Sequence, residues 1–381
     1  MNRSLTERAP VACYLFAGGG TGGHLFPAIA IAEQLQQWDA QAVIHFAGTS
    51  RGLEARVIPE KGYPLHLTAV RGFARNRFWV NLVVPLRLLW SLVQCSVILR
   101  RVKPDVVIGT GGYVSGPMLL VAYLMGYRTL IQEQNSYPGV TTRLLARFVD
   151  RVHISFAEST KYFKHPERLR ITGNPVRDLQ VTATAQEARQ FFGLSPQRRT
   201  LLVFGGSQGA RVINRALAAV VQRLLGASDL QVIWGSGRWD QEMVQQAVVG
   251  CEGRVVVMDF IKEMPLAYRA ADVVLGRAGA LTLAEINVCG LPAILVPLAT
   301  AAGNHQEANA RALERLGAAR VILEKELDSV DIDEVIVHLM NDEDKRHAMG
   351  EAARRAAFTT AREELARSVR ELARSDKGEN L

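Results

Sequence analysis

Cysteine is scarce in this chain and never closely paired. Cys13, Cys95, Cys251 and Cys289 are scattered over 381 residues without a CxxC spacing, which argues against zinc sites and disulfide scaffolds and fits a reducing cytoplasm. A secretory signal is missing as well. Met1–Pro10 carries Glu7 and runs into a short apolar stretch ended by glycines, the wrong pattern for an export leader; residues 1–10 read as a disordered extension. With 48% hydrophobic and 22% charged residues and a mean hydropathy of +0.06, the composition excludes disorder, collagen and coiled coil. Acidic residues are absent from one long stretch: Lys61 to Pro104 holds eight basic residues and no acid.

That gap belongs to a wider asymmetry. The net charge is +8, yet residues 1–175 hold 20 Lys/Arg against 10 Asp/Glu, whereas residues 176–381 hold 25 against 27. The excess positive charge lies wholly in the first half, which therefore meets something anionic.

Apolar runs alternate with helix-length segments along the chain. Val11–Ala17, Ala42–Ala47, Asp105–Ile108 and Thr129–Gln132 read as buried strands, followed by Thr200–Phe204, Gln231–Trp234, Arg254–Met258, Asp272–Leu275 and Ala293–Val296. Apolar strands separated by helices predict parallel sheets covered on both faces, an α/β architecture. The opening unit occurs twice, once with Gly18–Gly23 and once with Gly205–Gly209, at an offset of about 187 residues. Two doubly wound domains, each starting with its own glycine-rich turn, follow most simply; one large sheet with two similar turns is the alternative. The boundary is placed at 173/174, giving domains over 11–173 and 174–358, and Ala361–Ala373 has the spacing of an amphipathic helix packed on a domain.

Gly18-x-Gly20-x-x-Gly23 follows a strand and opens a helix, as a dinucleotide-binding turn does. Glycine there permits positive φ and lets backbone N–H groups approach a phosphate. Nicotinamide binding also needs an acid about 20 residues on for the ribose. The second strand ends Phe46-Ala47-Gly48-Thr49 instead, and Glu54 comes late. His24 stands beside any phosphate held by the turn, where a near-neutral imidazole can take a proton from a hydroxyl; a histidine that merely contacts the helix end is the bland alternative. Gly111–Pro117 is a further glycine-rich turn, with Pro117 suited to the first helical position and Ser115 or Gly116 to the cap. Together the two turns are able to hold a diphosphate; a tight turn with no ligand is the alternative.

In the second half, Glu285 falls in the first turns of the helix after Arg277–Gly279, where a carboxylate can accept hydrogen bonds from a ribose diol; dipole complementarity is the plainer explanation. Asp331-x-Asp333 and Asp342-x-Asp344 spell DxD, but helix capping and solvation account for both. Phe78–Leu99 is nearly long enough to span a bilayer. Arg87, Asn81, Pro85 and Gln94 within it, and Arg71, Arg75, Arg77, Arg100, Arg101 and Lys103 around it, favour a segment resting on an anionic membrane surface, with a buried core helix as the alternative.

In order along the chain stand Gly19–His24 with Pro27, Gly111–Pro117, Glu133-Gln134-Asn135, Gly173–Arg177, Gly205–Ala210, Gly279–Glu285 and His305-Gln306-x-x-Asn309. As an ordered set over about residues 11–370, they resemble the MurG family of bacterial lipid II-forming N-acetylglucosaminyltransferases. The resemblance implies a GT-B fold, two Rossmann-like domains facing across a cleft, with the C-terminal helix 361–375 returning to the first. It implies transfer of N-acetylglucosamine from UDP-N-acetylglucosamine to the 4-hydroxyl of the muramoyl sugar of lipid I, with inversion. His24 would be the catalytic base. Gly19, Gly20, His24, Gly112, Tyr113, Ser115 and Glu133 would hold the acceptor diphosphate. Donor contacts would come from Thr21, Gly22, Gly23, Asn135, Arg177, Ser207, Gln208, Ile261, Ala280, Leu281, Thr282, Leu283, Ala284, Glu285 and Gln306.

The resemblance further implies a peripheral location on the cytoplasmic face of the inner membrane, through Arg75, Arg77, Phe78, Trp79, Leu82 and Leu86, and leaves room for membership of a cell-wall synthesis complex. No nucleic acid partner, no cofactor and no protein metal site are expected; any divalent ion would act through the substrate phosphates. Gln132 departs from the family, where His is common, and the loop Ala299–Gly303 is plainer than usual. Two other classes compete: a nicotinamide-dependent oxidoreductase accounts for Gly18–Gly23 alone, and a non-catalytic nucleotide-binding protein at a membrane surface leaves His24 and Glu285 without purpose.

Overall fold

In the computed structural model, residues 11–70, 84–206 and 209–375 are described, except the side chains of 84–87 and 302. They form two compact units, one comprising residues up to 134, 138–175 and from 360, the other 135–137 and 176–359.

The first unit runs β1 (Cys13–Gly18), α1 (Gly22–Trp38), β2 (Val43–Gly48), α2 (Glu54–Glu60), β3 (Leu65–Leu67), α3 (Val84–Val102), β4 (Val106–Gly111), α4 (Gly112–Leu124), β5 (Arg128–Glu133), α5 (Val140–Leu145), β6 (Arg151–Ile154) and β7 (Leu169–Ile171). Among the described residues its strands make one parallel sheet in the order β3-β2-β1-β4-β5-β6-β7. Side chains alternate across a strand, and both faces are apolar because both are covered. Tyr14 and Phe16 of β1 enter the core beneath α1, while Leu15 and Ala17 enter the opposite core beneath α3, α4 and α5. Phe16 and Phe46 stack at 5.3 Å between ring centroids.

The second unit runs α6 (Ala185–Phe191), β8 (Arg199–Phe204), α7 (Arg211–Ala218), α8 (Val221–Gly226), β9 (Leu230–Gly235), α9 (Gln241–Ala247), β10 (Val255–Met258), α10 (Met264–Ala270), β11 (Val273–Gly276), α11 (Ala280–Cys289), β12 (Ala293–Leu295), α12 (His305–Arg315), β13 (Ala319–Val321), α13 (Ile332–Asn341) and α14 (Glu343–Arg355). Its parallel sheet has the order β10-β9-β8-β11-β12-β13. Trp234, fully buried at its centre, donates its indole N–H to Asn214 Oδ1 at 3.0 Å.

In each sheet the order reverses beside the first strand, between β1 and β4 and between β8 and β11. Doubly wound sheets bind ligands at such reversals, beyond the carboxyl ends of the strands. The glycine-rich turns after β1, β4 and β8 leave those ends.

Several expectations shift. The helix after β4 begins at Gly112, so Pro117 lies inside it rather than at its first position; the positive φ of Gly111 and Gly112 (101° and 78°) turns the chain earlier than the proline suggests. Asp331 and Asp342 flank the starts of α13 and α14, and Asp342 accepts from the Lys345 N–H at 2.9 Å. Asp333 forms a two-bond pair with Arg223.

The helix α15 (Ala361–Arg374) packs on α1 through Leu365, Ala366, Val369 and Leu372. It is also clasped by polar groups. His153 of β6 is buried, with Nε2 2.8 Å from Ser368 Oγ and Nδ1 3.2 Å from Thr172 Oγ1. Arg151 bonds Ser368 and Glu371.

Burial, aided by Arg170 and Arg151, pushes the His153 imidazole down to about 3. The unfolded chain therefore binds a proton near the ordinary value of 6.5 while the fold refuses it. Stability contributed by neutral His153 is complete above pH 6.5 and lost as the pH falls toward 3. Denaturant unfolding should show about 1–2 kcal/mol lost between pH 7 and 5 from this group, and a smaller loss in His153→Gln. Equal losses in both proteins would remove His153 as the cause.

Candidate functional site

The first unit's site is made by two turns that touch. A Cβ on Gly112 would stand 2.5 Å from the carbonyl oxygen of Gly19, and one on Gly111 would stand 2.5 Å from His24 Nδ1. Only glycine allows this approach. His24 occupies the first turn of α1, half-buried, and its carbonyl accepts from Thr110 Oγ1 at 2.8 Å. Its Nδ1 lies 3.0 Å from Gln134 Oε1, at the end of β5. The opening N–H groups of α1, at Gly22 and Gly23, have no partner within the helix, and no acid stands in the first turns of α1 or α4. Both helix starts thus keep their positive end available to an anion.

Glu54 supports this turn in a way its sequence position does not suggest. It is 1% exposed, accepts from the Gly20 N–H at 2.7 Å and takes the Thr49 N–H and hydroxyl at 2.9 and 2.8 Å. Its carboxylate braces the loop, and the Gly20 N–H, expected on a diphosphate, is already engaged. Two other expected contacts face inward. Ser115 is buried with its hydroxyl against Gly109; Glu133 is buried and accepts from the Gly139 N–H at 3.3 Å. Both brace the turns rather than present groups to a ligand. Tyr113, by contrast, is 64% exposed, and Thr21 and Gly23 are exposed.

Asn135 belongs to the second unit, where Asn309 Nδ2 lies 3.3 Å from its Oδ1 and Asn309 Oδ1 accepts from the Ser136 N–H at 2.9 Å. The loop after β11 opens α11 with Gly279 as cap and no acid in the first turn. Leu281, Thr282 and Ala284 are half-buried; Ala280 and Leu283 are buried. Glu285, only 5% exposed at its side chain, uses both oxygens: Oε1 accepts from Arg177 Nε at 2.7 Å and Oε2 from Tyr268 OH at 2.9 Å. Burial and the adjoining carboxylate push the Tyr268 phenol well above its ordinary range, so it is a fixed donor. Tyr268 carries no local signal and went unread in the sequence. Gln306 Oε1 accepts from the Leu298 N–H at 3.0 Å. Ile261 is buried beside Gly235. Ser207 and Gln208 lie outside the described residues.

The expected membrane segment is described in part. Arg75, Arg77, Phe78, Trp79 and Leu82 lie outside the described residues, as does the Leu86 side chain. On α3, Cys95, Ile98 and Leu99 enter the core while Leu88, Leu89, Trp90, Val93 and Val97 remain 44–61% exposed. Arg100, Arg101 and Lys103, also exposed, follow at its end. No helix among the described residues is long and apolar enough to cross a membrane, and no cluster of three or more His, Cys, Asp or Glu able to hold a metal occurs among them.

Residues 14–154 match the N-terminal domain of glycosyltransferase family 28 and residues 200–365 match its C-terminal domain. A UDP-N-acetylglucosamine–N-acetylmuramyl-(pentapeptide) pyrophosphoryl-undecaprenol N-acetylglucosamine transferase of Chlorobaculum parvum is 46% identical over 95% of this chain and 99% of its own length. The enzyme of the same name from Prosthecochloris aestuarii is 44% identical over 94% and 98%. Among solved structures, MurG of Acinetobacter baumannii superposes with a TM-score of 0.75 at 28% identity, over 95% of this chain and all of the other. Two Rossmann-like parallel sheets in one chain are the GT-B architecture of such enzymes. On motifs, fold and near full-length similarity, the chain belongs to glycosyltransferase family 28, in its MurG branch.

Proposed function

We propose that this chain transfers N-acetylglucosamine from UDP-N-acetylglucosamine to the 4-hydroxyl of the muramoyl sugar of lipid I, forming lipid II for peptidoglycan. The observation that carries this reading is His24, held against Gly111 at the β1/β4 reversal with helix starts beside it. In a single displacement, the base takes the proton of the acceptor hydroxyl as its oxygen attacks the anomeric carbon. UDP leaves from the opposite face, and the configuration inverts. The acceptor diphosphate would rest on N–H groups of Gly19, Gly22, Gly23 and Gly112 with Tyr113 alongside. In this reading 11–173 with 361–375 takes the acceptor and 174–358 the donor.

On the donor side, Thr21, Gly22, Gly23 and Asn135 would meet the sugar end, Ile261 would offer backbone to uracil, and Ala280–Ala284 with Gln306 would line the remainder. Ser207 and Gln208 would add contacts from the turn after β8. Glu285 would accept from the ribose hydroxyls and Arg177 would bind the diphosphate. Because these two now bond each other, donor binding would exchange their mutual pair for one bond each to the ligand. A dinucleotide oxidoreductase has no comparable support: Glu54, the only acid near the right place, is spent on Gly20 and Thr49.

The exposed apolar stripe of α3 with its basic end suits the surface of an anionic bilayer. We place the enzyme there, peripherally, on the cytoplasmic leaflet that carries lipid I.

Transfer to a short-chain lipid I analogue is the direct test, and it should proceed in EDTA. His24→Ala should lower turnover at saturating substrates by about 10²–10⁴-fold; wild-type turnover would leave His24 merely structural. Glu285→Ala should weaken UDP binding in titration calorimetry by about 2–3 kcal/mol, and unchanged affinity would rule out the ribose role. The double variant Leu89→Ser/Trp90→Ser should lose about 100-fold or more in co-sedimentation with anionic vesicles, since each removed side chain forfeits roughly 1.5–3 kcal/mol of burial. Retained binding would exclude α3 as the contact.

A further inference from the structure

A side-chain amide can face either way, and its partners decide which. Around Gln134 they leave one choice. The Asn174 amide nitrogen donates to the Gln134 carbonyl at 3.1 Å, so Asn174 Oδ1 faces the other way. There it accepts from Gln132 Nε2 at 3.0 Å. Gln132 Oε1 must then face Gln134, and it accepts from Gln134 Nε2. The same nitrogen also faces the carbonyls of Thr110 at 2.7 Å and of Gln132 at 3.0 Å, its two N–H groups being shared among these three acceptors. With its nitrogen so engaged, Gln134 presents only an acceptor, Oε1, to His24 Nδ1 at 3.0 Å.

An acceptor facing Nδ1 requires a proton on Nδ1. A neutral imidazole carries one N–H, so its Nε2 keeps the lone pair. Gln132, Gln134 and Asn174 are each no more than 4% exposed, and unsatisfied buried amides are costly, so the chain of bonds resists reversal. The ring itself cannot retreat, since Gly111 lies against it.

Resting on the reading of His24 as base, we propose that Gln134 is its positioning residue: through the directed chain from Asn174 and Gln132, it imposes the Nδ1–H tautomer and so makes Nε2 the atom that takes the acceptor's proton. Gln132, which stands where histidine is common in the family, serves here as the link that orients Gln134. The proton moves from the acceptor hydroxyl to Nε2 as the glycosidic bond forms and the bond to UDP breaks; Nδ1–H meanwhile stays on Gln134.

The unsubstituted full-length enzyme supplies the first measurement. Nitrogen-15 NMR, with His24→Gln to assign the ring signals, should show His24 protonated at Nδ1 and unprotonated at Nε2 above neutral pH. Gln134→Leu should shift the ring toward the Nε2–H form and lower kcat about 10–100-fold, with KM for UDP-N-acetylglucosamine within about twofold. Gln134→Glu, which keeps an acceptor on Nδ1, should recover most of that kcat, with the acid limb of its pH profile moved upward as the carboxylate favours the imidazolium. An Nε2–H tautomer in the unsubstituted enzyme overturns the proposal, as does wild-type kcat in Gln134→Leu while His24→Ala has lost turnover. Wild-type turnover in His24→Ala instead overturns the base reading and takes the proposal with it, while the NMR tautomer still reports the Gln134 geometry separately.

Discussion

The first unit depends on two backbone turns approaching without side chains between them. At the β1/β4 reversal, Gly112 lies against the carbonyl of Gly19 and Gly111 against the His24 ring. A methyl group on Gly112 would push the turns apart, and one on Gly111 would displace the His24 ring. The buried Glu54 braces the first of these turns through the Gly20 N–H.

Much of this was legible in the residue order. Strands with four or more consecutive apolar residues, such as Thr200–Phe204, are found where the pattern puts them, because burial on both faces leaves no room for alternation. The short strands β3, β6, β7 and β13 escaped notice for the converse reason. His66, His153, Arg170 and Arg320 interrupt them: Arg170 and Arg320 stay exposed to solvent, while the buried His153 is satisfied in part by Ser368, 215 residues away. The same limit applies to the sites. Glycine turns and His24 announce themselves locally. Glu54, Gln134 and Tyr268 do not, since each acts on a group brought near only by the fold.

Glu285 shows how residue order can give a side chain's place but not its partners. Glu285 stands in α11 at the strand ends, as its spacing predicts, but its carboxylate is already satisfied by Arg177 and Tyr268. A buried carboxylate without partners would be expensive. The guanidinium and the phenol together satisfy both carboxylate oxygens and fix their orientation, while the Arg177 side chain stays 41% exposed. Under the proposed function, exchange of one charge-assisted bond for another would let the site wait without an orphaned charge.

The helix α15 carries a consequence for biosynthesis. It completes the core of the first unit and supplies Ser368 and Glu371 to β6, yet it is made only after the whole second unit. While the ribosome is still translating the middle of the gene, the amino-terminal sheet has an uncovered apolar groove along α1 and a buried histidine awaiting its hydroxyl. The second unit, contiguous apart from residues 135–137, has no such debt and is free to finish first. Completion of the first unit is thereby deferred until α15 has been synthesised, and chaperone protection matters most for the segment synthesised earliest.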